Sequence, residues 1–394
     1  MASFLRTLIA PLLLLSLCAP AASFQEGDHD EAAVTMAEPP PEDAEVDEGP
    51  TPWYRRIIPI PVVITEPAIG EGLGLALGYF HPDRESSYVP KRVESTDVVR
   101  DVSIARDAPP TITGVVAAAT TNGTWAVGGG HIDSFRNDTI RFLGYGGYAN
   151  VVSELYLFGQ PFEFELTGML LESEVKFRIN ESNWFLGASV EFYDANTVFR
   201  IDLPDEKPPI DFLADDFRDV GLALKVMRET RDDTIFPSDG QLLDITLSRN
   251  DDAFGGDYEY TTLKAKFHSF HPFADRWVLG WRVDYSIVDG APPFYAVPWI
   301  TLRGIPALRY QGDEVLVGEV EGRYQFNDRW AAVAFGGRGY TSSDFFGIED
   351  GDDIYAFGAG GRFLLLQEHN AWVGIDIARG PEDTYYYIQV GHPW

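Results

Sequence analysis

From Trp53 onward the chain alternates in short segments. In IGEGLGLALGYF, Ile69, Leu73, Leu75, Leu77 and Tyr79 share one face of an extended strand, and Gly70, Gly72, Gly74, Ala76 and Gly78 share the other. QPFEFELTGML sets Phe162, Phe164, Leu166 and Leu170 against Glu163, Glu165 and Thr167, so the acids are expected to point away from the apolar side. DRWVLGWRVDYS opposes Trp277, Leu279, Trp281, Val283 and Tyr285 to Gly280, Arg282 and Asp284, and TTLKAKFHSF opposes Leu263, Ala265 and Phe267 to Thr262, Lys264, Lys266 and His268. Full charges on one face are intolerable in a dry sandwich core unless paired, whereas a wet lumen accepts them.

Two architectures use strands of this kind. One is a soluble antiparallel sandwich or propeller, and the other is an outer-membrane barrel with its apolar face in lipid. The first 22 residues favour the second: Arg6 precedes an apolar run from Leu8 to Leu17 and small residues to Ala22, the pattern of an export signal too short to span a bilayer. Cys18, the only cysteine, falls inside it, so no disulfide framework is expected in the mature chain. Residues 23–52 follow as an acidic, proline-bearing linker, with ten acids between Glu26 and Glu48 and no Lys or Arg among them. Such a segment buries too little apolar surface to offset its ordering entropy. The formal net charge of -31 argues against nucleic acid as a partner, because phosphate binding needs clustered basic residues.

Residues 53–394 are therefore expected to form one all-β unit, a closed antiparallel transmembrane barrel. At roughly twenty residues for each strand and its connection, the region holds about 16 strands, an even number as in single-chain bacterial barrels. The ending TYYYIQVGHPW places Tyr386, Ile388, Val390, His392 and Trp394 on one face, as expected of a terminal strand that the barrel assembly machinery reads during insertion.

Three motifs in order, RETRDDTIFPSDG with the strand QLLDITLSRND, then LRGIPALRYQGDEVLVGEVEGRY, then the terminal aromatic strand, resemble the barrel domain of the bacterial surface antigen family, relatives of the BamA and TamA assembly factors. EPAIGEGLGLALGYF and TNGTWAVGGGHIDSFRNDTIRFLGYGGYANV resemble short members of it as well. The resemblance implies a long loop folded back into the lumen with Arg303 at its tip, Gly304 allowing the turn, and Ile305 where an aromatic is usual. It also implies that Arg303 pairs with Glu321 on the inner wall, with Glu319 on the same face. The family's next wall acid, in a Phe-x-Asp-x-Gly pattern, is replaced here by Gly337 after Phe335, so the lock is expected to rest on the two glutamates. Periplasmic POTRA domains of those relatives are not expected in the 30 residues between signal and barrel.

His131, Asp133 and Ser134 carry the residue types of a hydrolase, but along one strand the first two share a face and Ser134 takes the other. His268 and His271 fall on opposite faces, which disfavours a shared metal. The acidic stretches 202–216 and 349–353 lack the spacing of a calcium loop and read as solvated external loops. No catalytic residue, cofactor or metal is expected. The expected role is non-enzymatic, in outer-membrane biogenesis or translocation, amid outer-membrane lipid and lipopolysaccharide, with a client or substrate that the sequence does not specify. A passive diffusion channel and a barrel-embedded hydrolase are the alternatives.

Overall fold

The computed structural model describes residues 53–81, 111–157, 160–201, 210–342, 351–366 and 371–394. The expected signal peptide and acidic linker lie outside the described residues, as do 202–209 and 349–350 of the two acidic stretches.

Sixteen strands form one sheet in strict chain order. They are β1 (Ile57–Ile64), β2 (Gly72–Phe80), β3 (Ile112–Thr120), β4 (Trp125–Phe135), β5 (Ile140–Leu157), β6 (Gln160–Arg178), β7 (Trp184–Ile201) and β8 (Ile210–Glu229). Then come β9 (Gly240–Asn250), β10 (Tyr260–Ala274), β11 (Trp277–Gly290), β12 (Glu314–Gln325), β13 (Trp330–Thr341), β14 (Asp353–Leu366), β15 (Ala371–Arg379) and β16 (Thr384–Val390). Every neighbouring pair is antiparallel, so the expected strand count and antiparallel arrangement are borne out. No helix among the described residues is long and apolar enough to cross a membrane, and the crossing elements are the strands.

The sheet is nearly, not fully, closed. β1 and β16 lie side by side, but no ladder joins them among the described residues, and one bond from the Ile388 N–H to Thr65 Oγ1, 3.3 Å long, bridges the gap. β1 itself explains part of this. Pro59 and Pro61 stand two residues apart and so aim their nitrogens toward the same edge, while the register of β1 with β2 runs unbroken from Ile57 to Ile64. Prolines that pointed at β2 would interrupt that ladder, so the donors they lack are lost from the seam edge.

The alternation sets sidedness. Leu73, Leu75 and Leu77 on β2, Ile375 and Ile377 on β15, and Tyr386 and Ile388 on β16 are all exposed on the outer, lipid-facing surface, while Ala76 and Ala378 are sealed inside. β6 corrects the expectation made for it. Phe164, Leu166 and Leu170 are buried toward the lumen, and Glu163 and Glu165 face outward to Arg200 of β7. β6 is 19 residues long, about twice a membrane-spanning strand, so its first half stands clear of the bilayer, where the outer face meets water and the inner face has something apolar to cover. That something is the loop after β11.

Candidate functional site

Residues 291–313 leave β11 at Gly290 and fold into the barrel before β12 begins at Glu314. The loop is a narrow hairpin tied by the Trp299–Gln311 bridge, by Ile300 N–H to the Tyr310 carbonyl (3.0 Å) and by Gly312 N–H to the Pro298 carbonyl (3.0 Å). Its apolar residues have partners on both sides. Tyr295, Trp299 and Leu308 pack into one cluster with Phe164, Leu166 and Leu170 of β6, and Ile300, Leu302, Ile305 and Tyr310 into another with Val315, Val317 and Ala356. Ile305, in the place of the usual aromatic, is thus a core residue of the loop tip. The tip itself turns at Gly304, whose φ of 96° suits only a residue without a Cβ, and which abuts Gly380 of the wall.

Arg303 projects from this tip. Its Nε and Nη2 donate to Glu319 Oε1 at 3.0 and 2.7 Å, Nη2 lies 2.8 Å from Glu321 Oε2, and Nη1 donates to Asp376 Oδ2 at 2.8 Å. The plane of the guanidinium lies over the Phe335 ring, 3.4 Å from its centroid. The planar fork suits this arrangement, because it offers donors in several directions and one face for stacking. Glu319 and Glu321 reach it because they are two apart on β12, between Val317 and Arg323 on the inner face.

The wall around the fork carries further charges of both signs. Arg282 of β11 donates from Nε to Glu319 Oε2 (2.9 Å), from Nη1 to Asp284 Oδ2 (2.7 Å), and from Nη2 to the Thr301 carbonyl within the loop. Arg362 of β14 holds Asp376 through both oxygens, and Gln389 of β16 donates to the same carboxylate at 2.8 Å. Arg323 turns toward the opposite end of the barrel, donating to the Pro237 carbonyl (2.8 Å) and lying over Phe236 (4.0 Å). Three arginines, Arg282, Arg303 and Arg362, therefore face four carboxylates, Glu319, Glu321, Asp376 and Asp284, at a largely buried site. Deleting any one leaves a buried charge uncompensated, a cost of roughly 3–5 kcal/mol.

Arg303, Gly304, Glu319 and Glu321 thus come together as the sequence leads one to expect. The acid counted as absent is not missing but relocated. Gly337 cannot carry it, because a Cβ there would stand 2.5 Å from Leu302 Cδ2 of the loop. Asp376, on β15 and 73 residues from Arg303, supplies a third carboxylate, so Arg303 meets three acids on two strands rather than the two glutamates expected. The visible signal was a lone Asp sharing the inner face of β15 with Trp372, Gly374 and Ala378.

The C-terminus also departs from expectation. Tyr386, Ile388 and Val390 lie on the last strand, but that strand stops at Val390, and Gly391, with φ of 74°, turns the tail inward. His392 Nε2 then lies 3.2 Å from Glu321 Oε1, and Trp394 stacks on Phe270 with centroids 5.5 Å apart. His392 and Trp394 therefore do not continue the lipid-facing row. The gain is burial: the ring of Trp394 packs against the inner wall at Gly280, and the His392 N–H donates to the Ile235 carbonyl at 2.7 Å.

His131 Nε2 is 3.7 Å from Asp133 Oδ2, while the Ser134 hydroxyl donates to Asp138 at 2.9 Å, so the three do not converge. His268 is buried against Asp284 at 3.0 Å and His271 is exposed, as the alternation requires. Among the described residues no group of His, Cys, Asp or Glu is arranged to hold a metal ion.

The Omp85 superfamily domain matches residues 160–295 of the chain. Among solved structures, the fold is similar to BamA from Haemophilus ducreyi lacking POTRA domains 1–3, at TM-score 0.55 and 10% identity over 85% of this chain and 70% of that one. It is also similar to CdiB from Escherichia coli, at TM-score 0.53 and 10% identity over 84% of this chain and 62% of that one, and to CdiB from Acinetobacter baumannii, at 0.51 and 10% over 85% and 59%. The chain thus spans somewhat under two thirds of the CdiB chains' length. No curated protein matches the sequence. The relationship to BamA-type barrels read from the motifs is supported by both the domain match and the fold.

Proposed function

Starting from an outer-membrane barrel related to the BamA and TamA barrels, with an Omp85 superfamily domain at its centre, we propose that this protein acts in outer-membrane biogenesis or polypeptide translocation and catalyses no bond chemistry. In this reading Arg303, Gly304, Glu319 and Glu321 are a lock that holds the loop in the lumen at rest, and Asp376 belongs with them. One observation carries the reading: loop 291–313 packs inside the lumen that a passive channel would keep open, its tip is held by three carboxylates, and among the described residues no ladder joins β1 to β16. A wall that is tied inside and loose at one edge suits a barrel whose work is done at that edge.

The exposed residues of β16, Tyr386 and Ile388, would then meet lipid and lipopolysaccharide at rest and an incoming chain during work. The test is insertion of a urea-unfolded small outer-membrane barrel into liposomes with and without this protein, followed by the heat-dependent gel shift of the folded client. The proposal expects faster insertion when the protein is present. Equal rates together with a steady ionic conductance would favour the diffusion channel.

A further inference from the structure

The loop tip touches more than the lock. Between residues 304 and 309 it reaches both edges of the seam from inside. On the β16 side, the Gly304 N–H donates to the Tyr387 hydroxyl at 2.9 Å, and Arg309 Nε donates to Glu382 in the turn before β16 at 2.7 Å. On the β1 side, the Ala307 N–H donates to Glu66 Oε1 at 3.2 Å, and Glu66 lies two residues beyond the end of β1.

Glu66 is itself well held. Its turn is closed by Ile69 N–H to the Glu66 carbonyl at 3.2 Å, the Ala68 N–H also approaches its carboxylate at 3.4 Å, and the Ser153 hydroxyl of β5 donates to the Ala68 carbonyl at 2.8 Å. Ile69, fully buried, anchors the same turn in the cluster that contains Leu308. A carboxylate on a fixed turn is thus aimed at a backbone donor of the loop, and nothing in the Arg303 lock requires it.

We infer that Glu66 is a positioning residue that makes the inward loop a clasp across the seam: the loop holds β1 through Glu66 and β16 through Tyr387 and Glu382. Among the described residues one direct bond joins the edges and three run through the loop, so the path through the loop supplies more links than the direct one. Seam and plug then open together, since β1 cannot leave β16 without tearing Ala307 from Glu66 or Gly304 from Tyr387. This inference rests on the reading of the barrel as one that works at its seam.

The experiment is amide hydrogen exchange, read by mass spectrometry on the refolded full chain in nanodiscs, for Glu66→Ala, Glu66→Gln and Tyr387→Phe. Gln keeps an acceptor oxygen for the Ala307 N–H, Ala does not, and Tyr387→Phe cuts the other arm should Glu66→Ala refold poorly. The clasp predicts that Glu66→Ala and Tyr387→Phe speed exchange in β1, β16 and loop 291–313 together, by roughly fivefold to tenfold for one net hydrogen bond lost, and that Glu66→Gln stays near wild type. Faster exchange confined to the loop, or a Gln variant as loose as Ala, overturns it. Failure of the functional reading is a separate result, visible as unchanged client insertion while these exchange rates still move together.

Discussion

The inward loop has two unlike sides. Toward β5 to β8 it meets aromatic and aliphatic residues, with Phe294 edge-on to Phe164 (5.0 Å) and Tyr295 stacked on Phe217 (5.0 Å). Toward β11 to β15 it meets a lattice of arginines and acids. Apolar contact is non-directional and scales with area, so the first side fills the lumen without choosing one orientation of the loop. Ion pairs with forked hydrogen bonds are directional and tolerate no substitute, so the second side chooses it. A plug that must be stable and still releasable needs both, and here they lie on opposite walls.

The largest effect that would break this contrast lies at Asp376. Asp376→Ala strands Arg303 and Arg362 in a buried site and is expected to destabilise the barrel by roughly 3–5 kcal/mol, measured as a lower urea midpoint. A change below about 1 kcal/mol would mean that the lattice is hydrated and the two sides are alike. Next, Leu166→Ala removes a fully buried contact of the filling side and is expected to cost about 3 kcal/mol while leaving the plug in place, so stability falls without new conductance. Conductance appearing in Leu166→Ala would show the filling side orienting the loop after all.

Smaller effects sharpen the picture. Burial pushes the Glu66 carboxyl up from 4.5 to about 7, against the backbone hydrogen bonds from Ala307 and Ala68. Tyr385 and Tyr387 of β16 are the titratable groups that face it across the seam. A carboxyl whose pKa is higher with the loop docked holds a proton there that it loses on release. Docking is therefore strongest below about pH 4.5, weakens as pH rises, and has lost this contribution above about pH 7. The frequency of channel opening is expected to climb over that interval in wild type and stay flat in Glu66→Gln. Smallest of all, Arg338 pairs with the exposed Asp353 at the start of β14, and Arg338→Gln is expected to change neither the urea midpoint nor the conductance.

How much of this was legible in the chain differs between the two sides. Period two announced the strands, their number and the partnership of Glu319 with Glu321, because residues two apart on one strand share a face whatever the tertiary fold. It did not say which face is inner. For β6 the apolar set turned inward, since only part of that strand stands at membrane depth and the inner partner, Tyr295 and its neighbours, arrives from a loop over a hundred residues later. The partnership of Asp376 with Arg303 was not legible for a similar reason. It depends on β14 and β15 following β13 around the barrel, and a single Asp on one strand carries no mark of it. The tail misled because GHPW continues the alternation on paper, while Gly391 leaves the strand conformation.

The central claim is that Arg303 holds the loop in the lumen, and its most direct measurement is single-channel conductance of the refolded protein in a planar bilayer, wild type against Arg303→Ala. The account predicts a wild type that is closed or opens only briefly, and a mutant that stays open because Glu319, Glu321 and Asp376 have lost the cation that joined them to the loop. Indistinguishable traces from the two proteins, whether both closed or both open, would contradict it.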